Sequence, residues 1–324
     1  MTATAKKTLS IILKVTLLVL AFTFIYHKYL EKGENIKQFK QLIAKLDHTH
    51  VTVIMSLVFI LMFVNWLLES LKWKFLTRNL TPITLWQSIE GVFCGLTWAI
   101  FTPNRIGDFG GRVMFLPPRW RIHGVFAMGV GSFGQNVITN VLGATAIMWF
   151  VIVFKQPNIW ILVGGIILTI AFISVFIIVY FNLNWIVKLF DRISFLKKYH
   201  RFFEIMGRYK LSELLKIMGF CLARFATFSF QYYLLIHMLV PAIPAFDMMM
   251  MVFIVFIIQS ALPSLDLIDV AVRSTAAATF FAYITNQEIA IITAFAAIWL
   301  INLIIPAILG SVFIFKLNFF GRNS

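Results

Sequence analysis

Arg105, Asp108 and Arg112 form a charged cluster beside two helix-breaking residues, Pro103 and Gly107. The cluster lies between apolar stretches, where an ionised side chain is costly unless it faces the protein interior or a water-filled cavity. Backbone unwound by Pro and Gly at such a depth is tolerated only in the same two settings. We therefore expect a binding site for a charged group here, with Pro103 and Gly107 as structural breaks. The alternative is an ion cluster that only stabilises the local fold.

A second segment repeats this order of residue types. Pro263 is followed by Asp269 and Arg273, and the spacing from Asp to Arg is four residues in both segments. At that spacing a carboxylate and a guanidinium share a helix face and can pair, which lowers the cost of burying them. We expect Asp269 and Arg273 to contact a ligand and Pro263 to break the helix. A helix cap at the membrane interface is the alternative.

Polar residues also recur at helical spacing in the stretch that follows the first cluster. Gln135 and Asn136 lie at the centre of a stripe whose members are three or four positions apart. Such a stripe predicts either hydrogen bonds between helices or the lining of a polar path. We include both residues among the candidate ligand contacts.

Arg224 is the other candidate, because it is a lone cation within an apolar stretch. It shares a helix face with Gln231, seven residues later, and could meet a phosphate there. Glu69 is expected nearer the cytoplasmic interface, in an ordinary pair with Lys72 or Arg78.

Composition places all of these residues in a membrane protein. Hydrophobic residues make up 60% of the 324 residues and charged residues only 13%, whereas soluble domains contain about 25% charged residues. The net charge of +15 comes from basic residues that flank apolar stretches, and no basic soluble domain is evident that could bind nucleic acid. Anionic or zwitterionic membrane lipids are therefore the expected partners.

The sequence predicts neither a metal site, a cofactor nor catalytic machinery. Cys94 and Cys221 lie in apolar stretches and form no CxxC motif. HExxH is absent, and none of the six histidines lies within a charged cluster, so no pair of nucleophile and base is evident. We expect a protein that is not an enzyme.

Hydropathy predicts an all-helical membrane protein, since a crossing needs about 20 apolar residues. One transmembrane domain, 1–324, would comprise a first half at 8–181, a basic cytoplasmic segment at 182–216 and a second half at 217–315. Two stretches, 83–116 and 247–284, are broken near their centres and are predicted to be re-entrant helical hairpins. The six complete crossings are expected at 8–26, 51–71, 123–154, 159–181, 217–239 and 289–315.

The distribution of basic residues predicts the orientation. With the N-terminus in the cytoplasm, cytoplasmic segments contain 17 Lys and Arg and external segments contain 6, as the positive-inside rule requires. Both termini would then be cytoplasmic. The two hairpins would enter from opposite faces, which is typical of an inverted repeat in a transporter.

The first cluster also resembles a known family motif. The segment 102–112, which begins Thr-Pro-Asn-Arg-Ile-Gly-Asp and ends at Arg112, is similar to the Thr-Pro-Gly-Arg-x-Gly-Glu motif of the lysylphosphatidylglycerol synthase transmembrane region, a flippase-like integral membrane family. The resemblance extends in order and spacing over roughly residues 10–316. The segment 262–273 lies where that family has a Pro-rich and Gly-rich stretch, but here the glycines are absent.

The resemblance implies a membrane domain of the bacterial inner membrane that moves lipid headgroups between leaflets. The soluble transferase that is fused to this region in the aminoacyl-lipid synthases is not present, so aminoacyl transfer is not expected. The alternatives are a membrane-embedded lipid-modifying enzyme and an accessory subunit of one. A second copy of the chain or a lipid-synthesis enzyme is an expected partner.

Overall fold

The computed structural model describes residues 41, 44, 46–100, 102, 105–262 and 266–314, with the backbone alone at 196, 266–269 and 314. The predicted crossing 8–26 and the predicted breaks Pro103 and Pro263 lie outside the described residues. So does the side chain of Asp269. The described chain is helical throughout, with turns between helices and no strand.

The helices follow the apolar stretches of the sequence. In chain order they are α1 (His48–Thr77), α2 (Leu85–Ala99), α3 (Ile106–Val113), α4 (Arg121–Phe150), α5 (Ile159–Phe181), α6 (Leu183–Arg192), α7 (Ser194–Lys197), α8 (His200–Phe203), α9 (Leu211–Leu239), α10 (Ala245–Ala261), α11 (Asp266–Phe281), α12 (Glu288–Trp299) and α13 (Ile305–Ile314). Short 3₁₀ turns precede α4 and α9.

Four helical stretches of the described chain are long and apolar enough to cross a membrane: His48–Thr77, Pro118–Lys155, Ile159–Phe181 and Glu288–Phe313. Helix α9 has sufficient length at 29 residues but is not among the four. These findings support the predicted polytopic membrane class. The count of six crossings stays a prediction.

Helices α1 and α9 form an antiparallel pair. Tyr209, just before α9, donates a hydrogen bond to the carbonyl of Leu76 near the end of α1, at 2.9 Å. Further along the pair, Gln231 donates to the carbonyl of Val58 at 2.9 Å. Gln231 is fully buried against α1, so this face of α9 serves helix packing.

The predicted first hairpin corresponds to α2 and α3. Helix α2 begins at a capping box in which the Thr84 hydroxyl accepts from the backbone N–H of Gln87 and the Gln87 side chain accepts from the N–H of Thr84. The two arms touch through glycines, because a Cβ on Gly111 would lie 2.5 Å from the Cα of Gly95. Small residues allow this close approach of helix backbones in membranes.

The tip of this hairpin is held by Thr102 and Arg105. The Thr102 hydroxyl accepts from the N–H of Gly107 at 2.7 Å, which caps the start of α3. Gly107 lies so close to α2 that a Cβ would be 2.3 Å from the carbonyl oxygen of Trp98. Arg105 precedes α3 in the left-handed conformation, with φ of 57°, which is uncommon for residues other than glycine.

The predicted second hairpin corresponds to α10 and α11, and it enters from the other end of the bundle. Helix α2 starts beside the end of α1, where the Ser88 hydroxyl donates to the carbonyl of Ser70 at 2.5 Å. Helix α10 starts beside the far end of α4, where the rings of Phe246 and Trp149 are 5.8 Å apart. The beginning of α4 lies with the end of α1, since a Cβ on Gly131 would be 2.7 Å from Leu76.

Helix α5 lies at the periphery. Its most apolar window has mean hydropathy 2.9, none of the window is buried, and along the whole helix only Tyr180 is buried. A helix that is apolar all round and unburied suits a hydrocarbon surrounding. The basic segment after it folds into the short helices α6, α7 and α8.

A π-helical turn joins α12 to α13 at Leu300–Ile304. Pro306 follows it, and a proline ring clashes with the carbonyl four residues earlier, here that of Asn302. A π turn accommodates one additional residue within a helix and is often found at functional sites. Asn302 and Leu303 belong to this turn and line a cavity between the two hairpins.

Candidate anion-binding cavity

A cavity of about 560 Å³ lies where the tips of the two hairpins meet. Arg105 comes from the tip of the first hairpin, Leu262 from the tip of the second, and Arg273 from the middle of α11, the second arm of that hairpin. Ile100 of the first hairpin and Val270 of the second are also buried in one apolar cluster. We call this space the inter-hairpin cavity. Its lining residues are Asn65, Trp66, Arg105, Gln135, Asn136, Thr139, Arg224, Phe225, Phe228, Phe256, Gln259, Ser260, Ala261, Leu262, Arg273, Trp299, Asn302 and Leu303.

The cavity brings together five of the eight residues that the sequence singled out as ligand contacts: Arg105, Gln135, Asn136, Arg224 and Arg273. Asp108 and Arg112 do not line it. Both are buried behind the cavity, at 7% and 3% exposed. Gln231, expected beside Arg224, does not line it either.

The described residues of the lining include several arginines. There are three of them, and no described lining residue is Asp or Glu. Amides and hydroxyls make up most of the remaining polar lining, and these groups hydrogen bond a ligand of either sign. An arginine offers a planar fork of donors that matches phosphate and carboxylate oxygens. The described lining therefore favours an anion.

Aromatic rings form the apolar part of the wall. Phe228 stacks on Phe256 with ring centroids 5.4 Å apart, and Phe225 packs edge-on to the same ring at 5.5 Å. Trp66 lies beneath a cation, since the guanidinium carbon of Arg224 is 5.2 Å from its ring centroid. An amphipathic ligand would find both an apolar and a charged surface here.

Some polar atoms of the lining residues have no hydrogen-bond partner among the described residues. They are the Oδ1 of Asn302, the Oε1 of Gln135 and the indole Nε1 of Trp66. Asn302 and Trp66 are themselves buried, at 5% and 4% exposed. A buried polar group without a partner costs about 1–3 kcal/mol. Such groups are expected next to a cavity that water or a polar ligand fills.

A buried ion network stands directly behind the cavity. At its centre is Glu69 of α1, which is 4% exposed. One oxygen, Oε1, accepts from Nη1 of Arg112, and the other, Oε2, accepts from Nη1 of Arg224. The Nζ of Lys72 lies 2.8 Å from Oε2.

Arg112 connects this network to the first hairpin. Its Nε and Nη2 donate to the two carboxylate oxygens of Asp108 at 2.6 and 2.7 Å. The pairing at four-residue spacing is therefore observed in the first hairpin. Gly95 makes room for it, because a Cβ there would lie 2.4 Å from Asp108 Oδ1. Buried pairs of this bidentate kind compensate much of the cost of removing charges from water.

Arg224 belongs to both the network and the cavity. Its Nε donates to Oδ1 of Asn65 at 3.1 Å, while Nη1 bonds to Glu69. Its side chain is 17% exposed, compared with 4% for Arg112 and 4% for Lys72. It is therefore the most accessible cation of the network.

Sequence reasoning missed Asn65, Glu69 and Lys72 as parts of this site. Their spacing of four and three residues places them on one face of α1, and this was the available signal. Glu69 does pair with Lys72, as expected. However, it is buried at the centre of three cations, which only the packing of α1 against α9 and the first hairpin reveals.

Comparisons with protein-family profiles, with curated proteins and with solved structures found no match for this chain.

Proposed function

We propose that the chain is an integral membrane lipid transporter that moves a phospholipid or lipid-linked headgroup between the leaflets of a bacterial inner membrane. The observation that supports this most directly is the inter-hairpin cavity, which three arginines line within a largely apolar helical bundle. A phosphate that leaves water for such a space must exchange its hydration for charge-assisted hydrogen bonds. Arg105, Arg224 and Arg273 offer them.

The aromatic wall favours a lipid-linked anion over a free ion. Phe225, Phe228 and Phe256 give the cavity an apolar side that a small hydrated anion does not require. A lipid would place its headgroup among the arginines and amides while its tails remain in the hydrocarbon. Membership of the flippase-like family is part of this proposal, and it is supported by the motif at 102–112.

Leaflet exchange in liposomes tests the proposal. Purified protein would be reconstituted with labelled phosphatidylglycerol, and the fraction of label accessible from outside would be followed with time. We expect faster exchange than in empty liposomes, and a loss of most of this acceleration with Arg273→Gln. Equal exchange rates in liposomes with and without the protein would contradict transport of phosphatidylglycerol. Labelled polyprenyl-phosphate glycolipids would be the next substrates to measure.

The same samples distinguish transport from lipid modification. Extracted lipids would be analysed by mass spectrometry before and after incubation. Transport leaves the label on an unchanged lipid. A new lipid species that forms in liposomes with the protein and not in empty liposomes would instead identify an enzyme.

A further inference from the structure

The ion network contains one more cation than it has carboxylates. In the described part of the chain its members are Lys72, Arg112 and Arg224 on one side and Glu69 and Asp108 on the other. Without Arg224 the remaining four groups would be neutral as a set. Arg224 is therefore the surplus cation, and it is also the member that lines the cavity.

Lys72 allows Arg224 to leave Glu69 without leaving the Glu69 carboxylate unpaired. Glu69 Oε2 has two cationic partners, Lys72 at 2.8 Å and Arg224. If Arg224 turned toward the cavity, Oε2 would keep Lys72 and Oε1 would keep Arg112. No buried carboxylate would lose its last partner, and such a loss is the costly event in a buried ion pair.

We propose that Arg224 exchanges between Glu69 and a phosphate group in the inter-hairpin cavity, and that Lys72 is the positioning residue that permits the exchange. The inference rests on the proposed function, because it assigns the phosphate contact within that same cavity. Lys72 itself is 3% exposed and does not line the cavity. It acts through Glu69, by neutralising the carboxylate that Arg224 leaves.

The proposed exchange predicts opposite changes in phosphate affinity for substitutions of Lys72 and of Glu69. In Lys72→Met, Glu69 depends on Arg224, so Arg224 is retained and phosphate binds more weakly. In Glu69→Gln, the competing carboxylate is gone, so Arg224 is released and phosphate binds more tightly. A purely structural role for both residues would predict losses of the same sign.

The double variant Lys72→Met with Glu69→Gln is included in case Glu69→Gln alone fails to fold. Glu69→Gln alone leaves Lys72 buried beside a neutral amide, whereas the double variant removes both charges. Asp108 and Arg112 remain paired, and Arg224 has no carboxylate competitor. We expect it to bind phosphate more tightly than the unchanged protein. Lys74→Met is the matched control, because Lys74 lies on the same helix and is exposed.

Binding would be measured on the full chain in a maltoside detergent, which itself contains no phosphate. The readout is the shift in melting temperature with increasing sodium phosphate, or with increasing dihexanoyl phosphatidylglycerol, at constant ionic strength. The two probes distinguish a free phosphate from a lipid headgroup as the source of the anion. We expect an apparent Kd about tenfold higher for Lys72→Met and about tenfold lower for the double variant, where each tenfold corresponds to about 1.4 kcal/mol.

The outcomes separate this inference from the proposed function. If either probe binds the unchanged protein while Lys72→Met and the double variant both match Lys74→Met, the exchange is wrong and the anion site stands. If phosphate binding survives Arg224→Gln unchanged, the assignment of the contact to Arg224 is wrong. If neither probe binds the unchanged protein, both the exchange and the anion-binding cavity are overturned.

Discussion

The two hairpins reach the same cavity by different physical means. The first has short arms, 15 and 8 residues, which touch through Gly95 and Gly111 and are tied to α1 by the buried pair of Arg112 and Glu69. The second has arms of 17 and 16 residues, and each arm buries apolar side chains in the main hydrophobic core, such as Ile254 and Ala277.

The difference teaches where each hairpin is vulnerable. Where glycine backbones touch, any added side-chain atom overlaps the neighbouring helix. Where an ion pair is buried, removal of one charge leaves the other buried and unpaired. An apolar interface responds more gradually, because its cost scales with the volume removed. Small substitutions should therefore cause a large loss of stability in the first hairpin. In the second hairpin, the loss of stability should increase in proportion to the side-chain volume removed.

The largest contrast is expected at the glycine contact. In Gly111→Val the new side chain would overlap the backbone of α2, since even a Cβ would be 2.5 Å from Gly95. We expect a loss of more than about 4 kcal/mol, the range of severe packing defects, seen as aggregation or protease sensitivity. Gly129→Ala is the control, because no atom lies within 4 Å of the position that its new methyl group would take. A stable Gly111→Val protein would contradict the close contact.

The second prediction compares the loss of a buried charge in the first hairpin with the loss of side-chain volume in the second. Arg112→Met leaves Asp108 without its bidentate partner and removes one partner of Glu69, and breaking a buried pair costs about 3–5 kcal/mol. Ile254→Ala in the second hairpin should cost about 2–4 kcal/mol through the void that it leaves. Both would be measured as shifts of the unfolding midpoint in detergent. If Arg112→Met were the milder change, charge would not be what fixes the first hairpin.

The third test separates folding from function at the first tip. Arg105→Gly removes a guanidinium from the cavity and also relieves a left-handed backbone, which costs about 1 kcal/mol for residues other than glycine. We expect slower lipid exchange, while the relieved backbone offsets part of the stability lost with the contacts of the side chain. Gln156→Gly is the control, because Gln156 is also left-handed, with φ of 42°, but does not line the cavity. Exchange that is unaffected by Arg105→Gly would remove Arg105 from the ligand contacts.

The smallest effect is expected outside both hairpins, at the pair of Arg78 and Glu213. Partial burial raises the pKa of Glu213, but hydrogen bonds from the Lys210 backbone and from Arg78 and Asn79 outweigh it and lower the pKa below its ordinary value. The carboxylate thus stabilises the fold above its ordinary pKa, and this contribution is lost as the pH falls through the lowered pKa. Arg78→Gln should cost less than about 1 kcal/mol at pH 7.

The pH dependence checks that assignment. The difference in melting temperature between Arg78→Gln and the unchanged protein should be present at neutral pH and should disappear below the lowered pKa of Glu213. High salt should also reduce it, because the Arg78 side chain is 44% exposed. A difference that persists in acid would mean that Arg78 acts through packing on Phe75, which its guanidinium overlies at 4.0 Å.

The sequence predicted what depends on local spacing. Four-residue spacing identified the pairing of Asp108 with Arg112, and the break beside Gly107 identified the first hairpin. Apolar length identified the helices. All of these patterns lie within one stretch of chain, so helical geometry is sufficient to interpret them.

It could not predict what depends on contacts between distant stretches. Glu69 looked like an interfacial residue because its neighbours Lys72 and Arg78 are basic, yet 43 and 155 residues separate it from Arg112 and Arg224. Asn302 gave no signal at all. Its place in the cavity wall depends on the π turn before Pro306 and on how α12 packs against both hairpins.

That π turn makes the cavity sensitive to chain length. Deleting one residue from Leu300–Ile304 would remove the π turn, and every residue on one side of the deletion would rotate by about 100° relative to the other. Asn302 and Leu303 would then leave the wall even though no residue type had changed. A single lost codon could thus abolish or re-shape ligand selection while the helix itself survives.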